Sequence, residues 1–152
     1  MDPRVSTPTA GLQQQFDLSM EVYNGIIDST QMMMEVNRAN EEIRKSLAAA
    51  SGNAERSRSL QSLQEKIREL TAGPRPTQGA PTQATPVDHV PLGRLPASFT
   101  SMLDLLQEVD ATPTTQAVRD MGSLRAALAR SRSSWAALKP QLSAAGIAPV
   151  GQ

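Results

Sequence analysis

Residues 113–145 read PTTQAVRDMGSLRAALARSRSSWAALKPQLSAA. Within this stretch Ala117, Met121, Leu124, Leu128, Ser131, Trp135, Leu138 and Leu142 follow one another at alternating steps of four and three. An α-helix brings residues three and four apart onto one face, so the spacing predicts a single long helix over about 113–145 with one buried stripe. Thr112 is its expected N-cap, after the turn begun by Asp110 and Ala111. Pro140 interrupts the pattern. Proline removes a backbone donor and clashes with the preceding turn, which predicts a kink or break near Lys139. Gly146, with Pro149 just beyond it, supplies the stop.

The same rhythm recurs toward the N-terminus. Leu95, Phe99, Met102, Leu106 and Val109 predict a helix over about 96–110 that opens near Pro96. Leu60, Leu63, Ile67 and Leu70 form a heptad seam on a helix over about 53–72, which Gly73 and Pro74 terminate. Pro8, preceded by the capping hydroxyls of Ser6 and Thr7, opens a first helix over about 9–50. Its largest apolar side chains, Leu12, Phe16, Met20, Tyr23, Ile27 and Met34, join Thr30 in a stripe that reads as its core face. The stripe weakens at Asn37 and Asn40 and resumes at Ile43 and Leu47. A helix of that length spans roughly 60 Å, more than a compact domain usually needs, so a kink or a projecting end is expected. Residues 73–95 carry Pro74, Pro76, Pro81, Pro86 and Pro91 among Gly, Thr and Gln, and read as an extended linker able to cross the length of a bundle. The fold class is therefore all-α: an up-down four-helix bundle over 9–149, with a long Pro-rich connection between the second and third helices. Residues 1–8 form a junction. The expected core anchors are Phe16, Tyr23, Leu63, Ile67, Phe99, Leu106, Leu128 and Trp135.

Composition agrees with this class and removes several chemistries. The chain has 152 residues, no Cys, one His, and 3% aromatic residues. Few aromatic and β-branched residues argue against a sandwich or barrel. Absence of Cys excludes disulfide scaffolds, thiolate metal sites and cysteine nucleophiles. A single His excludes a multi-histidine metal site. The 15 Lys and Arg balance 15 Asp and Glu, which argues against a general nucleic-acid binder. That zero is a sum of unlike helices. Residues 1–53 carry net −3, 54–73 net +1, the third helix net −3 and the fourth net +4, with +1 on the linker. Alternating signs favour oppositely charged neighbours and disfavour wrong ones. No apolar run approaches the roughly 18 residues of a membrane span, and the start lacks a signal-peptide pattern.

Each candidate for chemistry has a plainer reading beside it. His89, next to Asp88, lies in the linker, where nothing holds it rigid for catalysis. Glu41 and Glu42 are the adjacent carboxylates. A bundle di-metal site would require a Glu-x-x-His pattern, so Glu41 reads instead as one end of a surface pair with Lys45. Met32-Met33-Met34 could form an adaptable binding surface. Met34 and Met33 read as core, and Met32 as an exposed contact. Trp135 reads as the largest core anchor rather than a stacking platform. Arg56-Ser57-Arg58-Ser59 and Arg130-Ser131-Arg132-Ser133 are basic but lack the interleaved aromatics of single-strand binders. No phosphate-binding glycine loop and no nucleophile elbow are present. No catalytic, metal or cofactor residue is therefore assigned.

Met1-Asp2-Pro3-Arg4-Val5, followed by Pro8 and a helix with Leu12, Gln15, Phe16 and Tyr23, resembles a junction in large bacterial secreted proteins. These carry sortilin-like, neuraminidase-repeat β-propellers and are labelled glycosyl hydrolases. The close of the chain is similar to theirs as well, through Ala111-Thr112-Pro113-Thr114, then Trp135, Leu138, Leu142 and Ala145-Gly146-Ile147-Ala148-Pro149. The resemblance implies a C-terminal helical domain of a longer secreted or periplasmic protein. Its partners would be the preceding immunoglobulin-like and propeller domains. The propellers' repeated Ser-x-Asp-x-Gly-x-x-Trp box does not occur here, so no catalytic residue carries over. The expected function is that of a non-catalytic structural or docking domain without a cofactor. The alternative is a free-standing helical adaptor or secretion-associated protein that self-associates.

Overall fold

The computed structural model describes residues 8–50, 52–73, 90–108 and 111–147. It is an all-α four-helix bundle: α1 (Thr9–Ala49), α2 (Ala54–Ala72), α3 (Leu95–Gln107) and α4 (Thr115–Ala144), with a 3-10 turn at Leu92–Arg94 leading into α3. Junction residues 1–7, His89 with Asp88, Val109 and most of the linker, 74–89, lie outside the described residues.

Local chemistry sets the ends. The Asn53 side chain accepts the Arg56 backbone N–H at 3.0 Å and starts α2. Gly73, at φ 81°, ends it in a conformation that a Cβ would strain. The hydroxyl of Thr114, rather than Thr112, caps α4 by accepting from the Ala117 N–H at 3.1 Å. At the far end Gly146 has φ 76°, and the Ile147 N–H reaches back to the Leu142 carbonyl at 2.9 Å while the Ile147 side chain is buried. That is a Schellman stop with its apolar contact.

Pro140 does not break α4, which continues unbroken to Ala144. Only a single turn follows the proline, so few backbone bonds depend on it. Nearby carbonyls gain side-chain donors: Gln141 Nε2 bonds the Ala137 oxygen at 3.1 Å, and Ser143 Oγ bonds the Lys139 oxygen at 3.1 Å.

Chain direction follows from the contacts between helices. Glu21 pairs with Arg125, Asp28 with Arg132 and Glu35 with Lys139. Each pair lies one heptad beyond the last on both helices, so α1 and α4 run parallel. Gln15 bonds the Leu106 carbonyl, and Gly25 packs on Phe99, so α3 runs antiparallel to α1. Lys66 bonds Gln141 at 2.7 Å, while Ala72 and Gly73 lie beside Ala127 and Arg130, so α2 is antiparallel to α4. The directions are up, down, down, up rather than strictly alternating. α2 and α3 do not touch each other. The 3-10 turn sits between them, with Gly93 so close to the Thr71 carbonyl that a Cβ would lie 2.6 Å from its oxygen. The two short helices thus follow one another along a single rod facing α1 and α4. The two described ends of the connection lie together: a Cβ on Gly73 would lie 3.8 Å from Pro91.

The core lies where the three rods meet. α4 buries Ala117, Met121, Leu124, Leu128, Ser131, Trp135, Leu138 and Leu142, together with Ala127. α2 buries Leu60, Leu63 and Ile67, and α3 buries Leu95, Phe99, Met102 and Leu106. α1 buries Leu18, Val22, Gly25, Ser29, Met32, Val36, Ala39 and Ile43. This is not the stripe of its largest apolar residues.

Candidate functional site

α1 carries two stripes with the same four-three rhythm. The inner stripe, Leu18 to Ile43, faces the other rods. The outer stripe is Phe16, Met20, Tyr23, Ile27, Thr30 and Met34, displaced by two residues. At about 100° per residue that displacement places it on the opposite side of the helix. Phe16 is 60% exposed, Met20 44%, Tyr23 51%, Ile27 38% and Met34 50%.

The expectation that Phe16 and Tyr23 anchor the core is therefore corrected, and so is the division of the methionines. Met32 is buried, Met33 is half-buried against the core, and Met34 is exposed. The physical cause is Phe99. Its ring rests on Gly25, where an added Cβ would come within 2.6 Å of ring carbon. Only a small residue permits that approach. Ser29, one turn on, is fully buried yet satisfied, because its hydroxyl donates to the Gly25 carbonyl at 2.6 Å. Gly25, Ser29 and Ala39 make the inner face narrow enough for close packing, and the bulky face is left outside. The remaining expected anchors, Leu63, Ile67, Phe99, Leu106, Leu128 and Trp135, are buried.

The outer stripe is uncharged from Met20 to Met34. The two acids in that interval, Glu21 and Asp28, turn toward α4 and pair with Arg125 and Arg132. The result is an uncharged apolar strip roughly 21 Å long, flanked by Asn24 and Gln31. Single exposed apolar residues are ordinary, whereas these five are aligned along one face of α1.

Elsewhere the polar clusters are engaged in structure. Glu41 pairs with Arg44 at 3.5 Å and Glu42 with Lys45 at 2.7 Å, so the adjacent carboxylates serve exposed surface pairs three residues apart rather than Glu41 with Lys45. Trp135 donates its indole N–H to Glu35 at 2.9 Å, Lys139 bonds the same carboxylate at 3.0 Å, and the Lys139 ammonium lies 5.8 Å from the indole centroid. These contacts hold Glu35 below the usual carboxylate range, with the tryptophan hydrogen bond contributing most. Arg132 of the second basic run is paired with Asp28. Arg56 and Arg58 of the first line an open depression of about 1010 Å³ with Lys66, Gln141 and Gly146. Among the described residues no cluster of His, Cys, Asp or Glu could hold a metal ion. No helix there is long and apolar enough to cross a membrane. The chain matches no protein-family model, no curated protein and no solved structure.

Proposed function

We propose that this chain is a non-catalytic helical docking domain whose contact surface is the outer face of α1. One observation carries the reading: five large apolar side chains, at the spacing a helix uses to bury a face, stand in solvent. Their exposure is not a by-product of a poorly filled core, because the inner stripe already completes one. Among the described residues, the Glu41–Glu42 carboxylates and the Glu35–Trp135 contact are taken up by structural pairing.

The resemblance of the opening and closing segments supports the wider setting. In that setting the domain is tethered to preceding immunoglobulin-like and propeller domains of a secreted or periplasmic polypeptide, and any glycosyl-hydrolase activity belongs to those domains. The isolated chain is then expected to release no product from glycoside substrates, and turnover by the purified chain would sink the reading. The coding frame upstream of Met1 tests the tether: an immunoglobulin-like domain there supports it. The surface is tested by Ile27→Glu, which should leave circular dichroism and the melting temperature nearly unchanged.

A further inference from the structure

We infer that the outer face of α1 pairs with the same face of a second copy of this chain, in antiparallel orientation. The inference rests on the docking reading and names its occupant.

Three observations select a second copy. The first is periodicity. Steps of four and three along Phe16, Met20, Tyr23, Ile27, Thr30 and Met34 are what a packed helix partner requires, each side chain entering a hole between residues of the facing helix. A sheet or an irregular loop imposes no such repeat. The second is self-complementarity. Antiparallel alignment about a dyad near Gly25 sets Phe16 opposite Met34, Met20 opposite Thr30 and Tyr23 opposite Ile27, so every exposed large apolar residue of the stripe meets another residue of the stripe. The third is charge. A parallel, in-register pair would extend the seam to Glu41 on Glu41 and Arg44 on Arg44, like charges facing each other. The antiparallel pair instead sets Glu41 opposite Thr9, which carries no charge, and places Arg44 beyond the start of the facing α1. It also opposes the two helix dipoles.

The area is adequate. With aromatic side chains contributing about 150–250 Å² each, the exposed portions of the five apolar residues supply roughly 500 Å² per copy. Thr30 in the seam and the flanking Asn24 and Gln31, all exposed, add to this toward the roughly 800 Å² per partner of a specific interface.

The test uses the 152-residue chain as it stands. Sedimentation equilibrium from about 1 to about 300 μM should show the mass doubling. The chain has no Cys, so Arg38→Cys carries a single spin label. In the antiparallel pair the two labels lie roughly 40 Å apart, against about 10 Å in a parallel pair. Ile27→Glu should raise the assembly midpoint more than about tenfold. Thr30→Leu, which completes the apolar seam opposite Met20, should lower it. A monomer throughout the range overturns the inference. So does a dimer with the short label distance, or one indifferent to both substitutions. If the chain is monomeric while Ile27→Glu stays folded, pairing fails and the docking reading stands. If Ile27→Glu unfolds the chain, the outer face is part of the core and both fail.

Discussion

The two faces of α1 carry the same repeat and have opposite fates. The outer face holds the larger side chains, yet it is the face in solvent. The inner face includes Gly25, Ser29 and Ala39 and buries them. Apolar bulk alone does not choose which stripe a helix buries. The choice depends on how closely the neighbouring helix can approach, and here Phe99 of α3 needs the hollow that Gly25 leaves.

The sharpest way to break this comparison places one charge on each face. Val22 has no exposed surface, so Val22→Glu buries a carboxylate without a partner. Loss of the cooperative thermal transition is expected, with destabilisation above about 4 kcal/mol. Ile27→Glu should change stability by less than about 0.5 kcal/mol, as a surface substitution does. Equal effects in urea titrations would erase the distinction between the faces.

The hollow itself is tested next. Phe99→Ala should cost about 3–5 kcal/mol by leaving a cavity against Gly25. Gly25→Ala should gain up to about 1 kcal/mol from helix propensity and lose more to the clash with the ring, for a net cost of about 1–3 kcal/mol. The two changes should not add, because the alanine methyl partly fills the space the ring vacates. Strict additivity in a double-mutant cycle would show that the ring does not set the face.

The comparison also locates what the sequence made legible. Every seam position assigned on α4 is buried, because that helix carries one apolar stripe and no rival. On α2 the seam residues Leu60, Leu63 and Ile67 are buried and Leu70 is half-buried, and on α3 the described seam residues Leu95, Phe99, Met102 and Leu106 are buried. α1 offered two stripes, and hydropathy favoured the wrong one, since a glycine and a serine score as neither core nor contact. A glycine seven residues before Met32 and four before Ser29 was the available signal, readable only with the knowledge that an aromatic ring lies across from it. The placement of the linker's two ends was unreadable for another reason. Proline-rich composition specifies an extended chain but not where its ends go, and the meeting of Gly73 with Pro91 is a tertiary fact. The break expected at Pro140 does not occur, because the rule against proline inside a helix weakens when only one turn remains beyond it. The candidate site was found among the expected anchors, but in the wrong role.

A smaller effect is expected where α1 and α4 meet through Glu35. Its carboxyl is held below the ordinary range, chiefly by the Trp135 indole N–H and also by Lys139. A carboxylate with a depressed folded value contributes stability above its unfolded value, and that contribution is lost as pH falls through the folded value. Wild-type chain should therefore exceed Glu35→Gln in urea midpoint at about pH 6, and the gap should shrink as pH falls below the ordinary carboxylate range through the folded value. Trp135→Phe keeps most of the packing and removes the donor, so it should flatten the same pH dependence. A gap independent of pH would show that Glu35 acts through packing alone.

The smallest effect belongs to the exposed pairs Glu21 with Arg125 and Asp28 with Arg132. Each is open to solvent, and exposed pairs contribute roughly 0–1 kcal/mol. Arg125→Ala or Arg132→Ala should cost no more than that, and the cost should shrink in about 1 M salt, where the screening length falls to about 3 Å. Their position matters more than their strength. The three α1–α4 pairs recur one heptad apart on both helices, so sliding α4 by one turn would break all of them together. The pairs also draw Glu21 and Asp28 away from the outer face of α1, which keeps that strip free of charge. Arg125→Glu combined with Arg132→Glu should therefore disturb the outer face as well as the register. With their partners reversed, Glu21 and Asp28 are repelled from α4 toward the strip, and any assembly through it should weaken while the fold loses only a few kcal/mol. Assembly unchanged by this double reversal, measured by sedimentation at matched salt, would show that the neutrality of the strip does not depend on α4.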